Sequence, residues 1–526
     1  MRAELRDSLA FIYADDAVAQ TPLAKATLDV ARGGTAAVQV LVDGLEAGGE
    51  LRFDVSLDGR PVDAARWYRL RHVPVERNTG PVGFVEKEGE VNESAARRAP
   101  FRVYDAMEPV DGVVTSCAAS EALLLHIPVD RDAAGGARGY SIAVVAGAES
   151  RSLALDVEVH APVLPPVGRD TLPYTNWFST DHMARRHGLE PWSEEHWRMI
   201  AAYAGLMARG RQNMFWVPLR NVFELVDGEP RLDRDRLRRL VETFTAAGLH
   251  FIEGGHVAGR TGGEWKATTF DTVLTKKRAT SLEGNATLAA IGRQLMEEID
   301  RNGWRERWLQ HVTDEPAKEN ATEYRLLAGM VRRHMPGLPL VDASMCEQIT
   351  GSLDIWCPQA QEYQAHRAFF ESQRRLGDRV WFYTCCFPGG PWLNRLLDME
   401  LVRPALFGWA ASLYDLQGFL HWGLNNYKSD QDPFERSVVD HGGNNQLPGG
   451  DTHVVYPGDG APWSSVRFEA QREGFEDFEL LRVLKARDAA AARDVIAPVI
   501  RSFDDYTKDA AQIRAARGAL LRALAG

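Results

Sequence analysis

The segment His311-Val312-Thr313-Asp314-Glu315-Pro316 places two adjacent carboxylates where a short apolar run gives way to a loop. Crowding two like charges raises at least one pKa toward neutrality, which suits such a pair to proton transfer. Pro316 lacks a backbone donor and ends any strand ladder at that point. The same two acids would also suit the first turn of a helix, where negative charge is favoured, so residue type alone leaves both readings open.

Aromatic residues cluster around comparable positions. Trp177, Trp216, Trp356, Trp392, Trp409 and Trp422, together with Tyr383, fall in or just after short apolar runs. Flat aromatic faces suit the apolar C–H face of a sugar ring in a cleft, although each Trp taken singly is also ordinary core. Asn394, Asn425 and Asn426 offer hydrogen bonds to hydroxyl groups and are equally at home in loops. Glu362 is a further candidate for substrate contact.

Other chemistries lack their signatures. There is no HxH, HExxH, GxSxG or GxxxxGK[ST], so metal hydrolases, esterase elbows and phosphate loops have no motif, and neither a metal nor a cofactor is expected. His311, His421, His441 and His453 read as polar loop or supporting groups. Cys385-Cys386 ends an apolar run, where buried and inert thiols are commoner than nucleophiles. The five cysteines include no CxxC pair, which fits neither a zinc ribbon nor a disulfide framework.

These residues need a scaffold that gathers them. Eight short apolar runs, around 174–178, 214–217, 250–253, 309–313, 338–343, 354–357, 380–384 and 419–423, alternate with helical stripes. One stripe starts after Ser193 and carries Trp197, Ile200, Ala204 and Met207 up to Gly210. Another carries Leu237, Leu240, Val241 and Phe244 up to Gly248. Eight such units predict a (β/α)8 TIM barrel, whose active site lies at the C-terminal strand ends. A doubly wound open sheet is the alternative.

Upstream, Leu51, Phe53, Val55 and Leu57 alternate with polar residues, as do Leu153, Leu155, Val157 and Val159, which predicts an N-terminal β-sandwich. Pro162, Pro165, Pro166 and Gly168 mark a linker. The expected domains are a sandwich over 1–165, a catalytic barrel over 166–467 and a helical C-terminal cap over 468–526. Proteolysis at that linker, or a core shared tightly across it, is expected, and a fragment beginning near Gly168 should keep its barrel secondary structure even if its stability falls. Residues 428–460 form a long Gly, Asp and Asn-rich loop of the kind that is often functional.

Composition narrows the partners. The 526 residues carry 61 basic and 73 acidic side chains, a net charge of −12, which repels a phosphate backbone and argues against nucleic acid. No apolar run approaches the ~18 residues of a bilayer span. The N-terminus mixes both charges and lacks a secretory apolar core, so a cytoplasmic protein is expected unless a leader has been removed. A homo-oligomer stays open.

Several of these stretches together resemble the glycoside hydrolase family 123 type of catalytic module. They are Asp314-Glu315-Pro316, Trp381-Phe382-Tyr383-Thr384-Cys385 followed by Asn394, the run Gly418–Asn425, and Val455-Tyr456-Pro457-Gly458 through Ser465, Arg467, Glu469, Arg472, Gly474, Glu476, Asp477 and Leu480. The resemblance spans roughly residues 170–485. It implies a β-sandwich before a (β/α)8 barrel and an exo-acting, retaining β-N-acetylgalactosaminidase. It also implies that Asp314 steadies the substrate's 2-acetamido group as nucleophile, and that Glu315 acts as general acid and base. The absence of a carboxylate after the seventh run, Thr384-Cys385-Cys386-Phe387-Pro388, agrees with substrate-assisted cleavage. Substrate contacts would come from Trp177, Trp216, Glu362, Tyr383, Asn394, Trp409, Trp422 and Asn425. The rivals are a glycosidase on a sugar without an acetamido group, using Glu253, Asp342 or Glu362 as its second carboxylate, and a silent carbohydrate-binding protein.

Overall fold

The computed structural model describes residues 1–428 and 430–526. The first 165 residues form two sheets that share one apolar core. One sheet has seven strands in the order Arg2–Asp7, Thr35–Asp43, Ser120–Pro128, Arg66–Val75, Phe101–Val110, Pro462–Ser465 and Tyr456–Pro457, all antiparallel. The other runs Lys25–Arg32, Glu149–Val163, Gly136–Ala146, Glu50–Leu57 and Arg60–Pro61, with Val113–Thr115 paired alongside. The alternation read in the sequence is observed: Leu51, Phe53 and Val55 are buried while Arg52 and Asp54 face solvent. They pack against Val38, Val40, Leu123 and Leu125 of the first sheet.

From Tyr174 onward, apart from short antiparallel hairpins, the strands are short, parallel and largely buried, as strands covered by helices must be. In chain order they are Tyr174–Asn176, Met214–Val217, Phe251–Gly254, Trp308–His311, Leu340–Ala343, Ile355–Cys357, a seventh run split into Arg379–Val380 and Phe382–Thr384, and Phe419–His421. Ladder bonds group them into two arcs. The second to seventh strands form one, and the first, the eighth and Phe382–Thr384 form the other. The divided seventh run belongs to both arcs, and Trp381 between its halves donates its backbone N–H to Trp356 O at 2.7 Å.

No ladder joins the first strand to the second among the described residues. Side-chain amides span that seam instead. Asn213 Oδ1 accepts from Tyr174 N at 3.0 Å, and Gln212 exchanges hydrogen bonds with the Asn176 side chain and carbonyl at 3.0 and 3.2 Å. The arrangement is therefore a parallel α/β fold of eight consecutive strands, held by hydrogen-bonded ladders on all but one seam.

The helices start and stop where their sequence signals lie. Ser193 Oγ accepts from His196 N at 3.2 Å to cap Glu194–Arg209. That helix ends at Gly210, where a Cβ would collide with the Phe468 ring. Val466–Arg487 is buried nearly all round and crosses Phe407–Tyr414 at Gly408, where a Cβ would collide with Gly474 O, while a Cβ on Gly474 would meet Ala405 O just before that helix. No helix is long and apolar enough to cross a membrane.

The two parts of the chain are stitched together more tightly than a linker at Pro162–Pro166 suggests. Strand Pro462–Ser465, which leads into the Val466–Arg487 helix, pairs with Phe101–Val110. Arg467 Nη2 meets Asp105 Oδ2 at 2.8 Å with exposures of 1% and 0%, and Tyr456 donates to the same oxygen at 2.6 Å. Asp398 accepts from Thr79 N, Thr79 Oγ1 and Asn78 Nδ2 across the same boundary.

A fragment starting at Gly168 would lose Asp105 and leave Arg467 as an uncompensated buried charge, so we expect it not to unfold cooperatively, contrary to the sequence expectation. In the full chain, Asp105→Ala should cost ~3–5 kcal/mol, the usual penalty for orphaning one member of a buried pair. Urea midpoints test it, and an unchanged midpoint would mean that water reaches Arg467.

Candidate active site

The C-terminal ends of the parallel strands carry the polar residues. Thr313, Asp314 and Glu315 follow the fourth strand, and the two acids are half-buried. Glu315 has φ of 45°, a left-handed conformation that costs a non-glycine residue energy and persists only where neighbours enforce it. The enforcement is visible: Arg260 Nη2 donates to Glu315 O at 2.5 Å, and the Tyr383 hydroxyl donates to Glu315 Oε1. Arg260 is itself laid over the Trp265 ring at 4.0 Å.

Surrounding protein pushes both carboxyls up. Asp314 is raised to about 7, first by burial and then by the charge of Glu315, with Arg260 opposing. Glu315 is raised by burial against the hydrogen bond from Tyr383 and the charge of Arg260. The pair therefore holds a proton near neutrality, as acid–base work requires.

Beneath it lies a buried network that the sequence did not disclose. His311, the last residue of the fourth strand, contacts Asp342 Oδ1 through Nδ1 at 2.9 Å and Glu253 Oε1 through Nε2 at 2.7 Å, all three being fully buried. Burial would depress this imidazole, but the two carboxylates outweigh it and hold it up to about 9. Asp342 Oδ2 also accepts from Tyr324 Oη at 2.5 Å and from Thr313 N at 3.1 Å. Glu253 accepts from Thr175 Oγ1 at 2.6 Å and Trp177 Nε1 at 2.8 Å. The network thus fixes both the backbone before Asp314 and the Trp177 ring.

His256, His311 and Asp342 bring three ligand-type atoms within 4.8 Å of one another. His311 turns both ring nitrogens to carboxylates, Nδ1 to Asp342 and Nε2 to Glu253. His256 packs edge-on against Trp177, Trp216 and His311, and its Nε2 has no partner.

Four of the expected contacts fall at two places, three at a cavity and one at Glu315. Trp177 and Trp216 stack at 4.8 Å and 23°. They line a cavity of ≈510 Å³ with Trp422 and Lys428. Tyr383 reaches Glu315.

The other four candidates sit elsewhere. Trp409 is 0% exposed and donates Nε1 to Asp477 Oδ2 at 3.1 Å in the helix core. The amide of Asn394 is consumed by the carbonyls of Cys385 and Pro388, and Asn425 pairs both ways with the Ser179 backbone. Glu362 stands on the Ala360–Ala365 helix, 3.8 Å from His366. Trp356 is likewise core, bonded to Asp378.

Two details bear on nucleophiles. The Cys386 thiol is pushed well up by its hydrogen bond with Cys385 and by burial, which leaves no thiolate. Sequence reasoning missed Asp451, which follows a hairpin of Val439–Gly442 and Asn445–Leu447 in a stretch read as a long loop. Its Oδ1 accepts from Trp422 Nε1 at 3.0 Å, Oδ2 has no partner among the described residues, and burial pushes it up to about 7.

Comparison with known proteins now has a geometry to meet. A family model described as glycoside hydrolase 123, catalytic domain, matches residues 264–484. No curated protein matches. Among solved structures, a family 123 glycoside hydrolase from Clostridium perfringens, studied for glycolipid glycan hydrolysis, is 11% identical with a TM-score of 0.75, over 100% of this chain and 99% of that one. At that identity the likeness speaks for the fold. A Parabacteroides merdae β-glucuronidase aligns with 91% of this chain and 51% of its own, at 9% identity and a TM-score of 0.33, too low to carry an argument.

Proposed function

We propose that this chain, a glycoside hydrolase carrying the family 123 catalytic domain in residues 264–484, is an exo-acting, retaining β-N-acetylgalactosaminidase that uses the substrate's own acetamido group as nucleophile. The observation that carries the reading is the state of the other carboxylates. Glu253 and Asp342 are fully buried and tied to His311, and Glu362 turns to His366. Asp314 and Glu315 are left as the pair at the cleft.

In the proposed reaction the acetamido oxygen attacks the anomeric carbon as the glycosidic bond breaks. Glu315 gives its proton to the departing oxygen. Asp314 accepts a hydrogen bond from the acetamido N–H, whose nitrogen gains positive charge as the oxazolinium ring closes. Water, deprotonated by Glu315, then opens the ring at the same carbon, and two inversions give retention. Binding an N–H donor favours ionised Asp314, which leaves the proton shared by the pair on Glu315, where the first step needs it. By likeness to the Clostridium perfringens enzyme, the glycan of a glycolipid is the substrate class to try first.

We read the two strand arcs as a (β/α)8 barrel whose one seam is bridged by Asn213 and Gln212, which would set the cleft at the barrel mouth.

A screen of aryl glycosides covering both anomers of N-acetylgalactosamine, N-acetylglucosamine and galactose tests the function. Cleavage of the β-N-acetylgalactosaminide and not of the β-galactoside is expected. Equal cleavage of the two would turn the reading to a protein nucleophile, with Asp451 the first residue to examine.

Tyr383 gives a pH test of the Glu315 role. Its hydroxyl favours the ionised Glu315, so Tyr383→Phe should move the alkaline limb of kcat/KM to higher pH and cut kcat by about 10-fold or more. A limb that stays in place would separate Tyr383 from the acid.

A further inference from the structure

The cavity of ≈510 Å³ at Trp177, Trp216 and Trp422 has walls of two kinds. Trp177, Trp216 and Trp422 supply aromatic faces, with Trp177 held by Glu253 and Trp422 by Asp451. The rim is cationic. Arg185, in the last turn of the Thr180–Arg186 helix, and Lys428 both line the cavity, and no Asp or Glu does. Neither Arg185 nor Lys428 makes an ion pair or side-chain hydrogen bond among the described residues, although the chain carries a net charge of −12. Arg186 steadies the backbone there, with its guanidinium 5.6 Å over the Tyr427 ring and donating to Lys428 O at 2.8 Å.

Of the acids nearby, Asp430 pairs with Arg436 at 2.9 Å, Asp181 is exposed one turn before Arg185 on the same helix, and Asp451, buried behind Trp422, feels the charge of Lys428. An unpaired charge at a half-open cavity is solvated until a ligand replaces the water, and an anion loses least by doing so where two cations converge.

We infer that this cavity is a subsite for a sugar unit bearing an anionic substituent, a sulfate ester or a carboxylate, with its ring on the tryptophan faces and its charge between Arg185 and Lys428. The inference rests on the glycoside hydrolase reading above and adds to it the charge of the glycan.

Isothermal titration of the full-length protein with galactose 6-sulfate, glucuronate, galactose and inorganic sulfate tests this without turnover, so a failed aryl glycoside screen leaves the result interpretable. One or both anionic sugars should bind about 10-fold or more tightly than galactose, more weakly as salt rises. The two sugars separate a sulfate from a carboxylate site. The Arg185→Ala, Lys428→Ala double variant should bring the anionic sugars down to the level of galactose, while Lys428→Arg keeps the preference and thermal midpoints confirm folding. Equal binding of all three sugars, a preference that survives the double variant, or inorganic sulfate binding as tightly as the sulfated sugar, an adventitious ion only, would each overturn the assignment and leave the roles of Asp314 and Glu315 untouched.

Discussion

Glu315→Gln should reduce cleavage of natural glycosides by about 10²–10⁴-fold, the usual worth of a positioned general acid, and reduce cleavage of aryl glycosides with good leaving groups much less in the first step. Glutamine keeps the shape of the side chain and can still accept from Tyr383, so the strained backbone at φ 45° should survive. What it removes is the proton. A leaving group of low pKa departs without protonation, so only poor leaving groups reveal its loss. The second step, activation of water, suffers with every substrate, and a burst of aryl alcohol followed by slow turnover is expected with activated ones. Equal losses on poor and good leaving groups, with no burst, would take Glu315 out of the acid role. A variant inactive through misfolding is recognised by its thermal midpoint.

That experiment tests a residue the sequence could identify, and the site shows why others stayed hidden. The eight parallel runs were legible because each is a short apolar stretch between helical stripes, and Ser193 and Gly210 marked helix ends by their cap chemistry. Asp314 and Glu315 stood out as adjacent acids before a proline at the end of an apolar run, a pattern that a helix cap would share, and only the resemblance of the surrounding stretches favoured chemistry.

Asn394, Asn425 and Trp409 misled for a physical reason. An amide that binds sugar hydroxyls and an amide that staples carbonyls are the same residue in the same kind of loop, and only side-chain direction separates them. A strand buried on both faces has no period-2 pattern from which to read direction, and Trp409 proved to sit on a helix. The His311 network was invisible because its partners lie 58 and 31 residues away, on neighbouring strands that only the register brings together. The seam at Asp105 and Arg467, 362 residues apart, was beyond reading for the same reason, and the chain accordingly looked more divisible than it is.

Asp314→Asn should have two effects of opposite sign, and together they separate the substrate-assisted mechanism from its rivals. Turnover should fall by about 10²–10³-fold, the scale of losing one preorganised electrostatic contact to developing charge. A thiazoline analogue of the oxazolinium ion should inhibit the wild type strongly, because it mimics a species the site stabilises above the ground state. The substitution should weaken the thiazoline more than it weakens N-acetylgalactosamine.

Stability should move the other way. Burial and Glu315 raise Asp314 from its ordinary value of 3.8 to about 7 in the folded chain. The folded state thus holds this proton more tightly than the unfolded one, and the stability linked to it is fully present below pH ~4 and lost as pH rises toward 7. A neutral asparagine escapes that loss, so the variant's Tm should gain on the wild type across that interval and stay ahead above it. A less active, more stable protein is the signature of a carboxylate held for chemistry at the expense of folding. A thiazoline that does not bind, with cleavage of a sugar lacking the acetamido group, would instead place the nucleophile on the protein. An Asp314→Asn variant no more stable above pH 7 would mean that the cleft solvates this carboxylate well.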